Sequence, residues 1–421
     1  SPAPWLLSSQ DRIEPILEQL ALGHSCVELR RNSTLVGFDT TADGVVATVG
    51  RRGATDRDGA IDRIEARWII GADGAASAVR RGAGIELDGP TGLATLVNCQ
   101  FFADLSPWTA HRPAALYWTT APARNVFQKI DVHDRWLCQL GYDPREHPPE
   151  YFNRDTAAEW IRRSIGADVA LEVLDVIPWV MHSTVAERLR VGRVFRAGDA
   201  AHQLPPSGGF GMNTGVQDVH NLAWKLAMVQ RGEAADALLD SYDVERRPVA
   251  RYNADRSMDN ARAVGKIRKL MESGRPSDAT AAVAASARYG NWLGMDLGLR
   301  YEAGCLVPDG TEPPEVADPV SDYAPCARPG HRAPHVALPG IAASTLDLFD
   351  ERFVVLAGPH ADVAAVSVPV HRSDDLTFLG TYGLRDDGAV LVRPDGHVAW
   401  RRAGGADVDA DELVRALVSG S

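Results

Sequence analysis

Asp199 and the glycines that follow it are the residues best placed to do chemistry. An apolar run over residues 194–197 ends in Gly198-Asp199. Two further turns follow, Pro205-Pro206 and Ser207-Gly208-Gly209-Phe210-Gly211, and a helix is predicted to begin near Met212. A strand thus delivers a carboxylate to its tip, next to a loop whose glycines let a ligand approach the backbone. The helix beyond offers unpaired N–H groups and the positive end of its dipole. A carboxylate suits ligand hydroxyls, and helix N–H groups suit an electron-rich ring edge. The combination fits a ligand that carries both a polyol and a polar ring.

A second acid-bearing turn lies upstream. Trp68-Ile69-Ile70-Gly71 reads as a buried strand, Ala72-Asp73-Gly74 as a turn, and Ser77 as the N-cap of a helix carrying Arg80. Taken alone, this is also what a tight turn with a surface arginine looks like.

Together the two segments resemble those of the FAD-dependent aromatic hydroxylases, the single-component flavoprotein monooxygenases. The match continues through Asn221-Leu222-Ala223-Trp224-Lys225-Leu226-Ala227 and again at Glu245-Arg246-Arg247-Pro248. The resemblance implies that Asp199, after Gly198, holds a ribityl hydroxyl of FAD. It implies that the loop from Pro205 through Gly208, Gly209, Gly211, Met212 and Asn213 lies against the flavin ring. Asp73 and Arg80 would support FAD and the docking of NADPH, and Gln10, on the first predicted helix, would reach the flavin chain. The implied chemistry is NADPH reduction, reaction with O2 to a flavin hydroperoxide, and transfer of one oxygen to an aromatic ring. Glu245 to Pro248 reads as helix packing with a charged face, a structural role.

The family opens with strand, Gly-x-Gly-x-x-Gly and helix, which takes the FAD pyrophosphate. No such pattern precedes Trp68. A complete relative is therefore expected to carry about a hundred more residues at its front, the size of two βαβ units. As written, the chain has no pyrophosphate site, so weak or absent FAD binding is an expectation. The alternative to the enzyme is a non-catalytic or truncated relative that binds an aromatic ligand without stable FAD.

Composition bounds the rest. With 421 residues, 45% of them hydrophobic, the chain can fill the cores of two or three domains. A net charge of −12 argues against nucleic acid and anionic membranes as partners. Five scattered cysteines without a Cys-x-x-Cys motif suit a reduced cytoplasmic protein. No apolar run reaches membrane-spanning length. No metal site is expected: His331 and His335 flank Pro334, which discourages a zinc-bearing helix. A monomer or a homodimer is expected.

The elements that must position these residues read as a mixed α/β chain in three blocks. Residues 1–89 are the first part of a Rossmann-like FAD-binding domain: a helix near 13–22, then strands at 26–30, 34–40, 44–50 and 61–70. Arg51 to Ala60 forms a charged, glycine-bearing loop. Residues 90–181 form an antiparallel-sheet substrate domain, in which Leu96, Asn98, Gln100 and Phe102 share one face. Candidate substrate-lining residues there are Asn98, Gln100, Tyr117, Trp118, Phe127 and Gln139; each also reads as an ordinary sheet or core residue. No catalytic base is assigned. Residues 182–306 complete the FAD-binding domain. Residues 307–334, rich in Pro, Asp and Gly, form an extended linker. Residues 335–421 resemble the thioredoxin-like C-terminal domain of the phenol and polyketide branches of the family. Without paired cysteines, it reads as a stabilising appendage rather than a redox domain. Phe210 stands where many relatives carry Gln and is placed at the pocket rim. The whole pattern most resembles the aromatic-polyketide hydroxylases of antibiotic biosynthesis. Ring hydroxylation is the first reading, with Baeyer–Villiger oxidation or epoxidation as variants.

Overall fold

The structure is a computed structural model that describes residues 6–51, 61–119, 125–131 and 133–419. Most of the expected charged loop from Arg51 to Ala60 lies outside those residues. Helix α1 (Gln10–Leu22) leads into a meander of β1 (Ser33–Thr40), β2 (Val45–Arg51) and β3 (Ile61–Ala66). Residues 26–30, expected as a strand, are turn and coil. The strand expected over 61–70 divides at Ala66: β3 stays in the meander, and β4 (Ile69–Gly71) joins another sheet.

Helix α2 (Ala78–Gly82) packs so closely on β4 that a Cβ on Gly71 would lie 2.7 Å from Val79 Cβ. Short strand β5 (Leu87–Asp88) follows.

The next unit is a five-stranded antiparallel sheet. It is built from β6 (Ala94–Phe102), β7 (Leu116–Trp118), β8 (Asn125–Lys129), β9 (Arg135–Gly141) and β10 (Glu172–Met181), in the order β10-β6-β9-β8-β7. Period-two alternation sets its two faces. Val97, Cys99 and Phe101 are fully buried and pack with Trp136, Cys138 and Leu140 beneath α4 (Arg154–Ile165), whose Ala157 and Ile161 point inward. Asn153 and Thr156 close a capping box at the start of α4, and Gly166, in the left-handed region, ends it. The other face carries Leu96, Asn98, Gln100 and Phe102 and is left open.

The chain returns through β11 (Thr184–Ala186) and β12 (Arg190–Val191) to β13 (Val194–Arg196), which pairs in parallel with β4. After β14 (His202–Gln203) come two long helices, α5 (Phe210–Arg231) and α6 (Ser241–Glu272). Helix α6 runs unbroken through Pro248. Helices α7 (Pro276–Ala285) and α8 (Leu293–Leu297) precede the segment 307–334, which holds no helix or extended strand. That segment is nonetheless packed: Val320, Ala327 and His331 are buried.

The C-terminal unit has a four-stranded sheet ordered β17-β15-β18-β19, from β15 (Val354–Ala357), β17 (Val370–Arg372), β18 (Ala389–Val392) and β19 (Val398–Arg402). It also holds the pair β16 (Asp362–Ala364) and β20 (Asp407–Asp409), with helices α9 (Leu376–Tyr382) and α10 (Ala410–Val418). Strand β15 is parallel to β17 and antiparallel to β18, and β18 and β19 form a hairpin, as a thioredoxin-like sheet requires. All five cysteines are unpaired. No helix of the described residues is long and apolar enough to cross a membrane, and no cluster of metal-ligating side chains occurs among them.

Candidate functional site

Parallel pairing of β13 with β4 sets Arg196 beside Gly71, so the two acidic turns leave the same sheet edge side by side. The Gln203 side-chain amide crosses from one to the other and donates to the Ala75 carbonyl at 3.1 Å. Gly198 has φ +60°, a conformation that favours glycine. Its N–H donates to Asp218 Oδ2 of α5 at 3.2 Å. A Cβ on Gly215 would sit 3.0 Å from Gly198 Cα, so glycine at 215 is what lets helix and turn touch. Among the described residues, no hydrogen-bond donor reaches the Asp199 carboxylate. Burial by the surrounding strand and helix raises its pKa above the ordinary carboxylate range, an effect nearby His202 partly offsets.

The glycine loop ends at Gly209, which has φ +73° and precedes α5 without any capping side chain. The first turn of this 22-residue helix contains no acid, so its N–H groups and dipole are uncompensated. Cβ positions at Gly209 and Gly211 meet no atom within 4 Å, which leaves open space in front of the helix. Pro205 is buried, and Met212 is exposed. The Asn213 amide donates back to the Gly209 carbonyl at 3.0 Å. Gly208 is different: with φ +115°, a Cβ there would lie 2.5 Å from the Phe210 ring and 2.9 Å from Asn260 Nδ2. Gly208→Ala is therefore expected to displace the loop. The measurement is FAD affinity by flavin fluorescence, with loss of about tenfold or more expected at near-normal secondary structure.

Asp73 is occupied differently from the expectation that it supports the cofactor. Its carboxylate accepts from the Ser77 hydroxyl at 2.5 Å and from the N–H groups of Ala78 and Val79 at 2.7 and 3.1 Å. It thereby shapes the start of α2, where Ser77 caps the Arg80 N–H. Burial opposes ionisation, but these donors hold the Asp73 carboxyl below its usual range. The Arg80 guanidinium donates to the Ile85 carbonyl at 2.9 Å.

Gln10 opens α1 and bonds to Glu14. It lines a cleft of about 410 Å³ together with Asn98, Gln100, Gln128 and Ile177 of the open sheet face. Asn98 is held by the Trp179 indole N–H at 2.9 Å, a contact the sequence did not suggest. Gln139 lies directly across from Asn98 on the same face.

Two candidates belong elsewhere. Tyr117 pairs with Phe127 in register, and both rings lie on the opposite, packed face. Phe127 is buried edge-on to Phe101, and the Tyr117 hydroxyl donates to the Arg112 carbonyl. Trp118, next in the strand, faces the open side and meets Tyr289 edge-to-face at 5.3 Å. Phe210 is also corrected. It is buried with Met295 and Val320 and packs edge-on to Trp292, anchoring the loop instead of forming a rim.

Residues of α5 that the sequence reading passed over prove central. Asp218, fully buried, accepts from His202 Nε2 at 2.6 Å and Arg246 Nε at 2.9 Å, in addition to Gly198. Burial opposes its ionisation, but those two partners keep its pKa below the usual range. Glu245 and Arg246, expected in helix packing with a charged face, are almost completely buried. Thr214, Asp218, Asn221 and Lys225 recur every three to four residues on an otherwise apolar helix side. That polar stripe was the available signal.

The chemistry of this donor set fits a flavin nucleotide: an unengaged carboxylate, an uncapped helix N-terminus and glycine-made space in front of it. Comparison with known proteins agrees. The FAD binding domain family model matches residues 1–297, and the aromatic-ring hydroxylase C-terminal model matches residues 326–419. The chain is 37% identical over 451 residues to tetracenomycin A2 monooxygenase-dioxygenase of Streptomyces glaucescens, across 99% of this chain and 76% of that protein. Its fold is similar to that of the flavin-dependent monooxygenase PieE, solved with FAD and substrate. The TM-score is 0.83 at 32% identity, covering 98% of this chain and 80% of that one. A ternary complex of aklavinone-11 hydroxylase with FAD and aklavinone gives 0.80 at 31% identity, covering 99% and 78%.

Proposed function

The chain belongs to the family of FAD-dependent aromatic-ring hydroxylases, and from that premise we propose that it hydroxylates a polycyclic aromatic polyketide with NAD(P)H and O2. The observation that carries this reading is the cleft shared by Gln10 and the amides Asn98 and Gln100. Residues expected to touch the cofactor and residues expected to touch the substrate line one space.

FAD, when bound, supplies the redox chemistry that takes electrons from NAD(P)H and activates O2. The protein's own part is binding and orientation. Asp199 would hold the ribityl chain by accepting hydrogen bonds from its hydroxyls. The N–H groups at Gly211 and Met212, at the uncapped start of α5, would stabilise negative charge on the flavin ring. Asn98, fixed by Trp179, and Gln100 orient phenolic or quinone oxygens on the open sheet face, and Trp118 with Tyr289 supplies an aromatic wall.

The test is incubation of purified protein with FAD, NADPH and tetracyclic phenolic polyketides, read by mass spectrometry. A product heavier by one oxygen and stoichiometric NADPH use are expected. Asn98→Leu should raise KM more than it lowers kcat, by roughly tenfold, because an orienting hydrogen bond is lost. Protein that stays colourless with FAD yet binds the polycyclic phenol would replace the enzyme reading with a ligand-binding one.

A further inference from the structure

Asp218 is one end of a buried polar network that reaches the C-terminal unit. Arg393, at the tip of the β18–β19 hairpin, donates through both terminal nitrogens to Glu245 of α6, each at 2.8 Å. It also donates to Asp395 at 3.0 and 2.5 Å. Asn221 of α5 donates to Glu245 at 2.6 Å and to Asp395 at 3.2 Å. Lys225 donates to Glu245 at 2.7 Å and to Asn221 at 2.9 Å. The Cys305 N–H fills a further site on Glu245 at 2.8 Å. One residue on, Arg246 grips Asp218 and the carbonyl of Thr214. It also reaches Gln217 Oε1 at 3.2 Å and the Tyr301 hydroxyl at 3.4 Å, whose ring is stacked on His397 at 4.4 Å. Asp218, Lys225, Arg246 and Arg393 have no measurable exposure.

An appendage that only adds stability needs apolar contact with the rest of the molecule. Burying a guanidinium and two carboxylates at the junction is a costly way to obtain it. What such a network supplies is geometry, because its fixed forks tolerate one arrangement of the elements they join. Here those elements are α5, α6 and the hairpin. The output is the Asp218 carboxylate, which holds the N–H of Gly198 next to Asp199.

We infer that the C-terminal unit is a positioning element of the cofactor site, its Arg393-Asp395 hairpin tip holding α5 and α6 so that Asp218 sets the Gly198-Asp199 turn. This rests on the reading that the turn receives FAD. Arg393 and Asp218 are positioning residues and touch no reacting atom.

The test measures FAD affinity by flavin fluorescence, the visible absorption of the bound flavin and the thermal midpoint, on the whole protein. Arg393→Met and Asp218→Asn are each expected to weaken FAD binding about tenfold and to alter the bound-flavin spectrum, with Arg393→Lys recovering part of the loss. Arg401→Met is the control. It breaks the bridge from Arg401 of the same unit to Asp309 of the preceding segment, outside the network, and should lower the midpoint while leaving affinity and spectrum unchanged. If Arg393→Met does not fold, Arg393→Lys decides, because it keeps the charge at the hairpin tip and loses the two-pronged hold on Glu245. Affinity within twofold of wild type in the folded variants overturns the inference, and so does an equal loss in Arg401→Met. Wild-type protein that takes up no FAD overturns the cofactor reading itself, and the inference with it.

Discussion

Replacing Asp199 by Ala is expected to weaken FAD binding by roughly ten- to a hundredfold, the loss of about 1.5–3 kcal/mol that a charge-assisted hydrogen bond supplies. The carboxylate is unengaged among the described residues, so its removal leaves no protein donor stranded. Little change in folding stability is therefore expected, and the effect should appear almost wholly in affinity. Asp199→Asn keeps an acceptor oxygen and should lose less. The pH dependence carries the same signature. Burial raises the Asp199 pKa, so on acidification the group should take up a proton at a higher pH than an ordinary carboxylate. FAD affinity should accordingly decline from that higher pH downward, and the Ala variant should lack this step. Equal affinity in wild type and Asp199→Ala would remove the ribityl contact from this position.

The parts of the site legible in the sequence are those whose signal is local. The strand ending in Gly198-Asp199, the glycine loop and the following helix lie within one short stretch, and each conformation is written in its own residue types. The two faces of β6 were legible for the same reason, since Val97, Cys99 and Phe101 alternate with Asn98 and Gln100. Tyr117 and Phe127 were not. Which face each presents depends on the register of β7 against β8 and of β8 against β9, and three residues of β7 are too few to show alternation. The fate of Phe210 depended on Met295 and Val320, far along the chain, closing over it. The partners that hold Glu245 and Arg246 inside were equally out of reach: Arg393 is 148 residues from Glu245, and Asp218 is 28 from Arg246. Charged residues on a helix default to solvent unless something distant requires them inside. Asp73 shows the converse, a family hallmark whose visible work in this structure is local turn geometry.

Replacing Glu245 by Leu is expected to be the most destabilising single change at the junction. It leaves the Lys225 ammonium and one flank of the Arg393 guanidinium buried without their main counter-charge, a loss of about 3–5 kcal/mol for breaking a buried pair. Measured as the midpoint of denaturant unfolding, the loss should fall first on the contact between the C-terminal unit and α5. The double variant Glu245→Leu with Lys225→Met should regain part of it, because the stranded ammonium goes with its partner and the interior becomes apolar. A surface-type ion pair would behave otherwise, losing about 1 kcal/mol or less in the single variant with nothing to recover. The acid limb tests the same point. Burial would raise the Glu245 pKa, but Arg393 and Lys225 bring it down to about 2. A depressed carboxyl contributes stability that is present above its unfolded value and is lost as pH falls through the folded one. Wild type should therefore lose stability progressively between about pH 4.5 and pH 2, starting at the ordinary glutamate range and ending at the depressed value. In Glu245→Leu that component of the acid limb should be missing. A variant as stable as wild type at neutral pH with an unchanged acid limb would mean that the network is not the clamp its geometry describes.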